Sequence, residues 1–339
     1  MKFARLGATG LYVSRIALGT MSFGGAGNPR WEAIGALDES AADRLLGTAL
    51  DRGVNLVDTA DMYAGGESEE LLGKILGTRR DDVVLATKLA ARMGPGPNQA
   101  GLSRHWLTKA LDDSLRRLRT DHVDLYQIHT IDPVTPIEET LRALDDAVRQ
   151  GKIRYVGASN LAAWQLMKAL GTSDRLGLHR FQASQSYYSL VGRDIEAELI
   201  PLLTEEQVGL LVWSPLAGGF LSGKFDRDGT TDSGARRAQF SNPPVDLEQG
   251  YDVVDALRKV AARHDATVAQ IALAWLLAQP AVTSVIVGAK RPEQLEANLD
   301  AVDVTLTPED LLELDEVSRK PAPYPAWIHS AIDTWRYPA

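Results

Sequence analysis

The 339-residue sequence contains no cysteine, which excludes disulfide bonds, thiolate metal sites and a cysteine nucleophile. It has no excess of positive charge either: the sequence contains 36 lysines and arginines and 45 aspartates and glutamates, which gives a net charge of −9. This balance argues against nucleic acid or an anionic membrane as the main partner. The longest apolar run, 271–278, is far too short to cross a bilayer, and residues 1–5 open no apolar signal stretch. These absences predict a soluble, globular, cytoplasmic protein.

Eight short apolar runs recur along the chain, and helical patterns separate them. The predicted strands are 15–19, 54–58, 83–87, 123–128, 153–158, 180–184, 209–213 and 284–288. Nearly continuous apolar runs are typical of parallel strands that are buried on both faces. Eight alternating units predict a (β/α)8 barrel, a TIM barrel, forming one domain over 1–339. An open doubly wound sheet is the alternative, but the nearest glycine cluster, 23–27 (FGGAG), lacks the G-x-G-x-x-G spacing.

Glycine and proline mark where the predicted helices begin and end. Thr135 and Pro136 predict a helix start, with Thr135 as the N-cap and Pro136 as the first helical residue. Gly53, Gly151 and Gly209 each separate a helix from the next strand, where a left-handed residue would end the helix.

Four segments fall outside the strand–helix pattern. They are a predicted N-terminal hairpin at 1–14, long loops at 24–39 and 217–250 after the first and seventh strands, and a tail at 320–339 rich in proline and tryptophan. Loops of this length are usually functional or disordered.

Ionisable side chains stand at the ends of three consecutive predicted strands. Asp58 ends the second strand and Tyr63 follows five residues later, Lys88 ends the third strand, and His129 ends the fourth. Active sites of TIM barrels lie at the C-terminal ends of the strands. The fold therefore predicts that these four side chains converge.

Together, the four side chains could donate a proton to a carbonyl oxygen. A phenol with a pKa of about 10 is a poor acid at pH 7, but a nearby ammonium lowers that pKa. A lysine in a cleft needs a carboxylate partner, and Asp58 can provide it. A neutral His129 can donate a hydrogen bond to a carbonyl oxygen. No H-E-x-x-H pair occurs, so no metal is predicted.

With these residues in order, the sequence resembles the aldo-keto reductase superfamily. Residues 58–63 (DTADMY) resemble the D-T-A-x-x-Y segment of the family, and 85–88 (LATK) and 124–129 (DLYQIH) resemble the segments that end in its other two catalytic residues. The similarity extends from 18 to 298. It implies an (α/β)8 barrel that uses NADPH or NADP+ for reversible reduction of an aldehyde or ketone, with Tyr63 as the proton donor.

The same resemblance implies a set of cofactor-binding residues. They are Gly19, Thr20, Met21, Asp58, Ser159, Asn160, Gln185, Trp213, Ser214, Pro215, Leu216, Ala217, Gly218, Lys224, Arg236, Gly288, Lys290, Arg291, Gln294 and Asn298. In the family, the positions of Ser159, Asn160 and Gln185 contact the nicotinamide carboxamide, and that of Trp213 stacks on the ring. Segment 214–219, with Lys224, is expected at the pyrophosphate.

The segment after the last strand is expected at the adenosine 2′-phosphate. Lys290 and Arg291 stand there, and Arg236 resembles an arginine that closes over the phosphates. A 2′-phosphate needs cationic hydrogen-bond donors. We therefore expect NADPH to be preferred over NADH.

The resemblance implies that the C-terminal tail, 320–339, lies near the substrate pocket, and loop aromatics are the candidate wall of that pocket. Phe23, Trp31, Trp327 and Trp335 suggest a largely apolar wall, compatible with a small aldehyde, a cyclic ketone or a sugar-like compound. The expected partner is such a small carbonyl compound, with neither nucleic acid nor membrane. Oligomeric state is not visible in the sequence.

Two other functions remain open. A redox-sensing regulatory subunit is one, because potassium-channel β subunits share this fold and these four residues; a chain that begins directly at the hairpin favours the enzyme. A Schiff-base lyase using Lys88 is the other. The nearby Asp58 and Tyr63 suit a charged lysine better than a nucleophilic amine.

Overall fold

A closed barrel of eight parallel strands forms the centre of the computed structural model, which describes residues 1–227, 237 and 241–329. The strands follow chain order around the barrel, and the last pairs with the first through Val285↔Ile16. The predicted TIM barrel is therefore confirmed, and the open sheet is excluded. The barrel strands are β3 Ile16–Gly19, β4 Leu56–Asp58, β5 Val84–Leu89, β6 Val123–Ile128, β7 Ile153–Ser159, β8 Ala183–Tyr187, β9 Gly209–Trp213 and β10 Val282–Val287.

The predicted boundaries of β6 and β9 match the structure to the residue, whereas the sixth barrel strand is displaced. It was expected at 180–184, but β8 pairs with β7 only from Ala183 onward. Arg180 lies before the strand, where its guanidinium binds Asp174 and Glu206.

Helices surround the barrel. They are α1 Pro29–Ile34, α2 Glu39–Asp51, α3 Glu67–Leu76, α4 Arg104–Leu118, α5 Ile137–Arg149, α6 Ala163–Leu176, α7 Leu199–Glu205, α8 Leu247–His264, α9 Val268–Ala278, α10 Pro292–Leu299, α11 Pro308–Ser318 and α12 Ala326–His329. Helix α2 is typical: the Asp38 side chain accepts from the Ala41 N–H at its start, and Ala42, Leu45, Leu46 and Ala49 are buried along one face.

The predicted N-terminal hairpin is present and closes one end of the barrel. Strands β1 (Phe3–Arg5) and β2 (Tyr12–Ser14) pair antiparallel. Leu6 and Val13 pack against the inward-facing apolar side chains of the barrel strands, which are Ala17, Leu56, Ala86, Leu125, Ala183, Leu211 and Ile286. This packing fills the N-terminal end of the barrel and leaves the C-terminal end for a site.

Two predicted helix boundaries are wrong in detail. Helix α5 begins at Ile137 with Pro136 as its N-cap, because the Thr135 hydroxyl binds Asp132 at 2.6 Å instead of capping the helix. Gly209 is the first residue of β9, and Gln207 takes the left-handed conformation with φ of 53°. A Cβ on Gly209 would lie 2.9 Å from the Gly7 nitrogen, so close approach explains this glycine.

The predicted loops contain more regular structure than expected. The 24–39 loop includes α1, and the 217–250 loop ends in the first turn of α8. Residues 228–236 and 238–240 of that loop, and 330–339 of the tail, lie outside the described residues. Within the described part of the chain, no helix has the length and apolar character needed to cross a membrane.

Candidate active site

A simple register rule places polar side chains at the open end of the barrel. Alternate residues of a strand face the same side, so the second residue after each inward-facing apolar residue also points inward. Leu56 is followed by Asp58, Ala86 by Lys88, and Leu125 by Gln127. Ala183 is likewise followed by Gln185, and Leu211 by Trp213. One layer of the barrel interior is therefore apolar, and the layer above it carries the polar groups.

Asp58 and Lys88 form an ion pair on neighbouring strands, and both side chains are buried. The Lys88 ammonium nitrogen lies 2.5 Å from Asp58 Oδ2 and 2.7 Å from the carbonyl oxygen of Thr59. Burial alone would lower the pKa of Lys88, but the charge of Asp58 and the contact with Tyr63 outweigh it, and the pKa lies above its usual value. Lys88 is therefore a charged ammonium.

Tyr63 reaches the same ammonium from the loop that follows β4. Its phenol oxygen accepts a hydrogen bond from Lys88 Nζ at 3.4 Å. The tyrosine ring lies edge-on to the His129 ring, with 6.0 Å between the centroids, and edge-on to Trp31 at 6.5 Å. These contacts hold the phenol between the buried ion pair and the open cleft.

His129 is neutral at physiological pH. Burial, and then the charge of Lys88, lower its pKa to about 3. Its Nδ1 is buried without a hydrogen-bond partner among the described residues. A neutral imidazole carries one ring proton, so the arrangement favours placing that proton on Nε2, with the ring lining the cleft.

Two glutamines hold the second oxygen of Asp58. Gln185 Nε2 donates to Asp58 Oδ1 at 2.8 Å, and Gln127 Nε2 donates to it at 3.3 Å. Gln127 is fully buried and was not among the predicted site residues. The signal for it was present: a polar residue two positions after inward-facing Leu125 must point into the barrel.

The residues expected at a nicotinamide lie side by side. Trp213 Nε1 donates to Asn160 Oδ1 at 3.0 Å, and Asn160 Nδ2 donates to Ser159 Oγ at 3.0 Å. Ser159 Oγ in turn donates to the carbonyl oxygen of Gln185 at 2.9 Å. Tyr187 packs against Trp213, with 5.2 Å between the ring centroids. The network fixes the orientation of an indole that lines the cleft.

A cleft of about 520 Å³ opens above these side chains. The predicted residues that line it are Tyr63, His129, Gly19, Met21, Asp58, Ser159, Asn160, Gln185, Trp213, Ser214, Pro215, Leu216, Gly218, Lys224, Gly288, Lys290, Arg291, Gln294 and Asn298. Lys88 lies beneath its floor, in contact with Asp58 and Tyr63.

Positively charged side chains dominate the cleft, as expected for a site that binds a polyanion. Lys224, Lys290, Arg291 and Arg30 line it, whereas Asp58, already paired with Lys88, is the one carboxylate among its described lining residues. Together with the Trp213 ring face, these cations fit a nicotinamide adenine dinucleotide, whose pyrophosphate is anionic.

Several predicted residues do not line the cleft. Thr20 and Ala217 are fully buried; the Thr20 hydroxyl is hydrogen-bonded to Ser68 at 2.9 Å. Arg236 lies outside the described residues, and its neighbour Arg237 donates to the carbonyl oxygens of Ala217 and Pro243.

The expected exposed aromatic wall is partly wrong. Phe23 is 0% exposed and packs in the core between the barrel and its helices, so it does not line the cleft. Trp31 is also buried, but its edge contact with Tyr63 keeps it next to the site. Trp327 is 56% exposed and contacts Tyr324 away from the cleft lining, and Trp335 lies outside the described residues.

The sequence analysis missed other lining residues, most of which lie outside the barrel strands. They are Ser22, Arg30, Ile34, Met62, Ser222, Phe225, Asn242, Ile286 and Val287. Arg30 stands on α1, with its guanidinium 5.4 Å from the Trp31 ring centroid. Loop residues carry no periodic signal, so their side-chain directions follow only from the folded chain.

Asp61, between Asp58 and Tyr63, is buried without a side-chain partner for either carboxylate oxygen among the described residues. Its backbone N–H donates to the carbonyl oxygen of Lys88. Burial, and then the charge of Glu69, raise its pKa to about 8. The carboxyl is therefore largely protonated at neutral pH.

Comparison with known proteins agrees with this geometry. The model of the Aldo/keto reductase family matches residues 15–319. Similar proteins include "Uncharacterized oxidoreductase YrpG" of Bacillus subtilis (strain 168), 37% identical over 94% of this chain and 96% of the relative. A "Probable voltage-gated potassium channel subunit beta" of Arabidopsis thaliana is 39% identical over the same shares. "Versiconal hemiacetal acetate reductase" of Aspergillus parasiticus is 36% identical over 93% of this chain and 96% of the relative.

The oxidoreductase names among these relatives agree with a site built for carbonyl reduction. The family match covers all eight barrel strands and each of Asp58, Tyr63, Lys88 and His129. The chain belongs to the aldo/keto reductase family.

Proposed function

We propose that this protein is an NADPH-dependent reductase that converts an aldehyde or ketone to an alcohol. The observation that carries the proposal is the contact of Lys88 with both Asp58 and Tyr63 at the floor of a cation-lined cleft. When bound, the reduced nicotinamide would supply a hydride to the carbonyl carbon.

Tyr63 is the proposed proton donor to the carbonyl oxygen. The Lys88 ammonium next to its phenol stabilises the phenolate that remains after proton transfer. Asp58 keeps Lys88 charged and oriented. Gln127 and Gln185 hold the other oxygen of Asp58, so that Oδ2 faces the ammonium.

His129 is the proposed second donor to that oxygen. A neutral imidazole with its proton on Nε2 donates a hydrogen bond without adding a competing positive charge. It thereby positions the carbonyl oxygen near the Tyr63 phenol.

The cofactor preference rests on the cations after β10. Lys290 and Arg291 line the cleft and supply the charged donors that a 2′-phosphate requires. The Lys290 ammonium also donates to the carbonyl oxygen of Ala33 at 3.2 Å, which holds the side chain in place. We therefore propose NADPH rather than NADH, and a cytoplasmic location, where this reductant is available.

A panel of aldehydes and ketones assayed by NADPH consumption tests the proposal. We expect steady turnover with at least one compound and none without a carbonyl substrate. NADPH binding without turnover of any panel member would instead support the second candidate, a redox-sensing regulatory subunit. The potassium-channel β-subunit names among the relatives favour that candidate.

The Schiff-base alternative needs an uncharged Lys88. The raised pKa and the ion pair with Asp58 both oppose it. Borohydride trapping of a carbonyl compound on Lys88 is the direct test. We expect no covalent adduct.

A further inference from the structure

A second cavity, of about 370 Å³, lies at the N-terminal end of the barrel. Arg15 lines it and stands directly before β3, whereas Gly19, at the other end of the same strand, lines the active-site cleft. The two cavities share no lining residue among the described part of the chain. We call this cavity the lower pocket.

Two cations from the hairpin region line the lower pocket. The Lys2 ammonium donates to the carbonyl oxygen of Val302 at 2.9 Å, and the Arg15 guanidinium donates to the carbonyl oxygen of Leu277. Neither forms an ion pair with a carboxylate of residues 1–227, 237 or 241–329. The carbonyl groups orient the two cations but do not neutralise them.

Arg15 is half-buried and forms no ion pair with a carboxylate of the described residues. Burial lowers the pKa of Arg15, and no carboxylate raises it again. Buried charges in proteins are normally paired. A guanidinium has five N–H donors and an ammonium has three. Each cation therefore keeps donors for a further acceptor after its contact with one carbonyl oxygen.

Apart from Lys2, Arg15 and Thr305, the side chains that line the lower pocket are apolar. Its wall includes Ala274 and Leu277 of α9, Val302 and Leu306 of the segment after α10, and Phe3 of the hairpin. No acidic side chain lines it among the described residues. Its volume falls within the range of small-molecule sites.

We propose that the lower pocket binds an amphiphilic anion, a small molecule with one carboxylate or phosphate group and a short hydrocarbon body. The anionic group contacts Lys2 and Arg15, and the hydrocarbon lies against the apolar wall. Because this end of the barrel is remote from the catalytic cleft, the ligand is distinct from the carbonyl substrate and from the cofactor.

Calorimetric titration of the full chain tests the site, with octanoate, octyl phosphate and octanol as probes. We expect one molecule of octanoate or octyl phosphate to bind per chain. Octanol should bind at least about tenfold more weakly because it lacks the charge. The tighter of the two anions identifies the head group. Equal binding of octanol, or binding of none of the three, would contradict the proposal.

Substitutions locate the bound anion. Lys2→Met with Arg15→Met should weaken binding of the anion at least about tenfold, whereas Arg15→Lys should retain most of it. Arg5→Met is the matched control, since Arg5 is exposed on the same hairpin and does not line the lower pocket. If the double variant fails to fold, the affinity of Lys2→Met for the anion is the test, because Lys2 is exposed and its replacement should not affect folding. Unchanged affinity in Lys2→Met and in any folded double variant would overturn the proposal.

Competition with the cofactor separates this site from the cleft. Saturating NADPH should leave octanoate binding unchanged, because the pockets lie at opposite ends of the barrel. Displacement of octanoate by NADPH would place the anion in the catalytic cleft and overturn the proposal. This readout does not depend on turnover, so it stands whether or not the proposed reductase activity is found.

Discussion

The ammonium of Lys88 contacts the phenol oxygen of Tyr63 at 3.4 Å, although the two residues lie on different strand–loop segments. The same ammonium is fully enclosed and paired with Asp58. A buried positive charge therefore stands next to the one phenol that lines the cleft among its described lining residues. The following predictions depend on this contact and on its surroundings.

Tyr63→Phe should remove the proton donor and keep the ring. A positioned general acid contributes roughly 10²–10⁴-fold, so kcat for carbonyl reduction should fall by at least about that much. NADPH affinity, measured by quenching of tryptophan fluorescence, should change little because the phenol is assigned to the substrate. A variant that reduces a good substrate within a few-fold of wild type would mean that another group supplies the proton.

Lys88→Met should reduce kcat about as strongly, since Tyr63 loses the charge that favours its phenolate. It should also destabilise the fold, because Asp58 is left buried and unpaired; breaking a buried pair costs about 3–5 kcal/mol. Adding Asp58→Asn should recover part of the free energy of unfolding without recovering activity. Chemical denaturation of the single and double variants measures this. Recovery of activity in the double variant would contradict the assigned role of Lys88.

Asp61→Asn should stabilise the protein in a pH-dependent way. The pKa of Asp61 is about 8 in the folded chain and near 3.8 in the unfolded chain, so folding takes up a proton between these values. The free energy of unfolding of the wild type therefore falls as pH rises from about 4 to about 8. Asparagine does not ionise, so the variant avoids this decrease. The free energy of unfolding of Asp61→Asn should therefore exceed that of the wild type by an amount that grows from pH 4 to pH 8, to roughly a few kcal/mol.

Denaturant titrations at several pH values measure the Asp61 effect, with Glu70→Gln as the control. Glu70 is an exposed acid nearby in the sequence, so Glu70→Gln controls for the loss of one carboxylate. A constant difference between Asp61→Asn and wild type from pH 4 to pH 8 would mean that the folded protein carries Asp61 charged.

Replacing both Lys290 and Arg291 with methionine should abolish the preference for NADPH. Charged hydrogen bonds to a phosphate contribute about 1.5–3 kcal/mol each, so NADPH affinity should fall at least about tenfold. NADH affinity should stay nearly constant, because it lacks the 2′-phosphate. Lys259→Met, far along the chain on α8, serves as the control for the loss of surface charge. Equal weakening of both cofactors would place the two cations elsewhere on the dinucleotide.

Sequence patterns predicted the fold and the site residues correctly where these depend on local interactions. The alternation of apolar runs and helices led to the barrel, and the ends of the runs led to Asp58, Lys88 and His129. Gln127 could also have been found, because strand alternation orients it inward two residues after Leu125. Where a residue makes distant contacts, local pattern was a poor guide: Phe23 looks like an exposed loop aromatic, yet it is buried in the core.

The sequence by itself determined the order and type of the elements, because hydrophobic periodicity and capping signals act over a few residues. It also determined which residues of the strands point into the barrel, because strand alternation is local. Only the tertiary structure decided that Lys88 meets Asp58 and Tyr63 at hydrogen-bond distance, that Asp61 is buried without a side-chain partner among the described residues, and that Lys2 and Arg15 line one pocket. Those relationships depend on closure of the barrel, which brings together residues that are distant in the chain and removes water from between them.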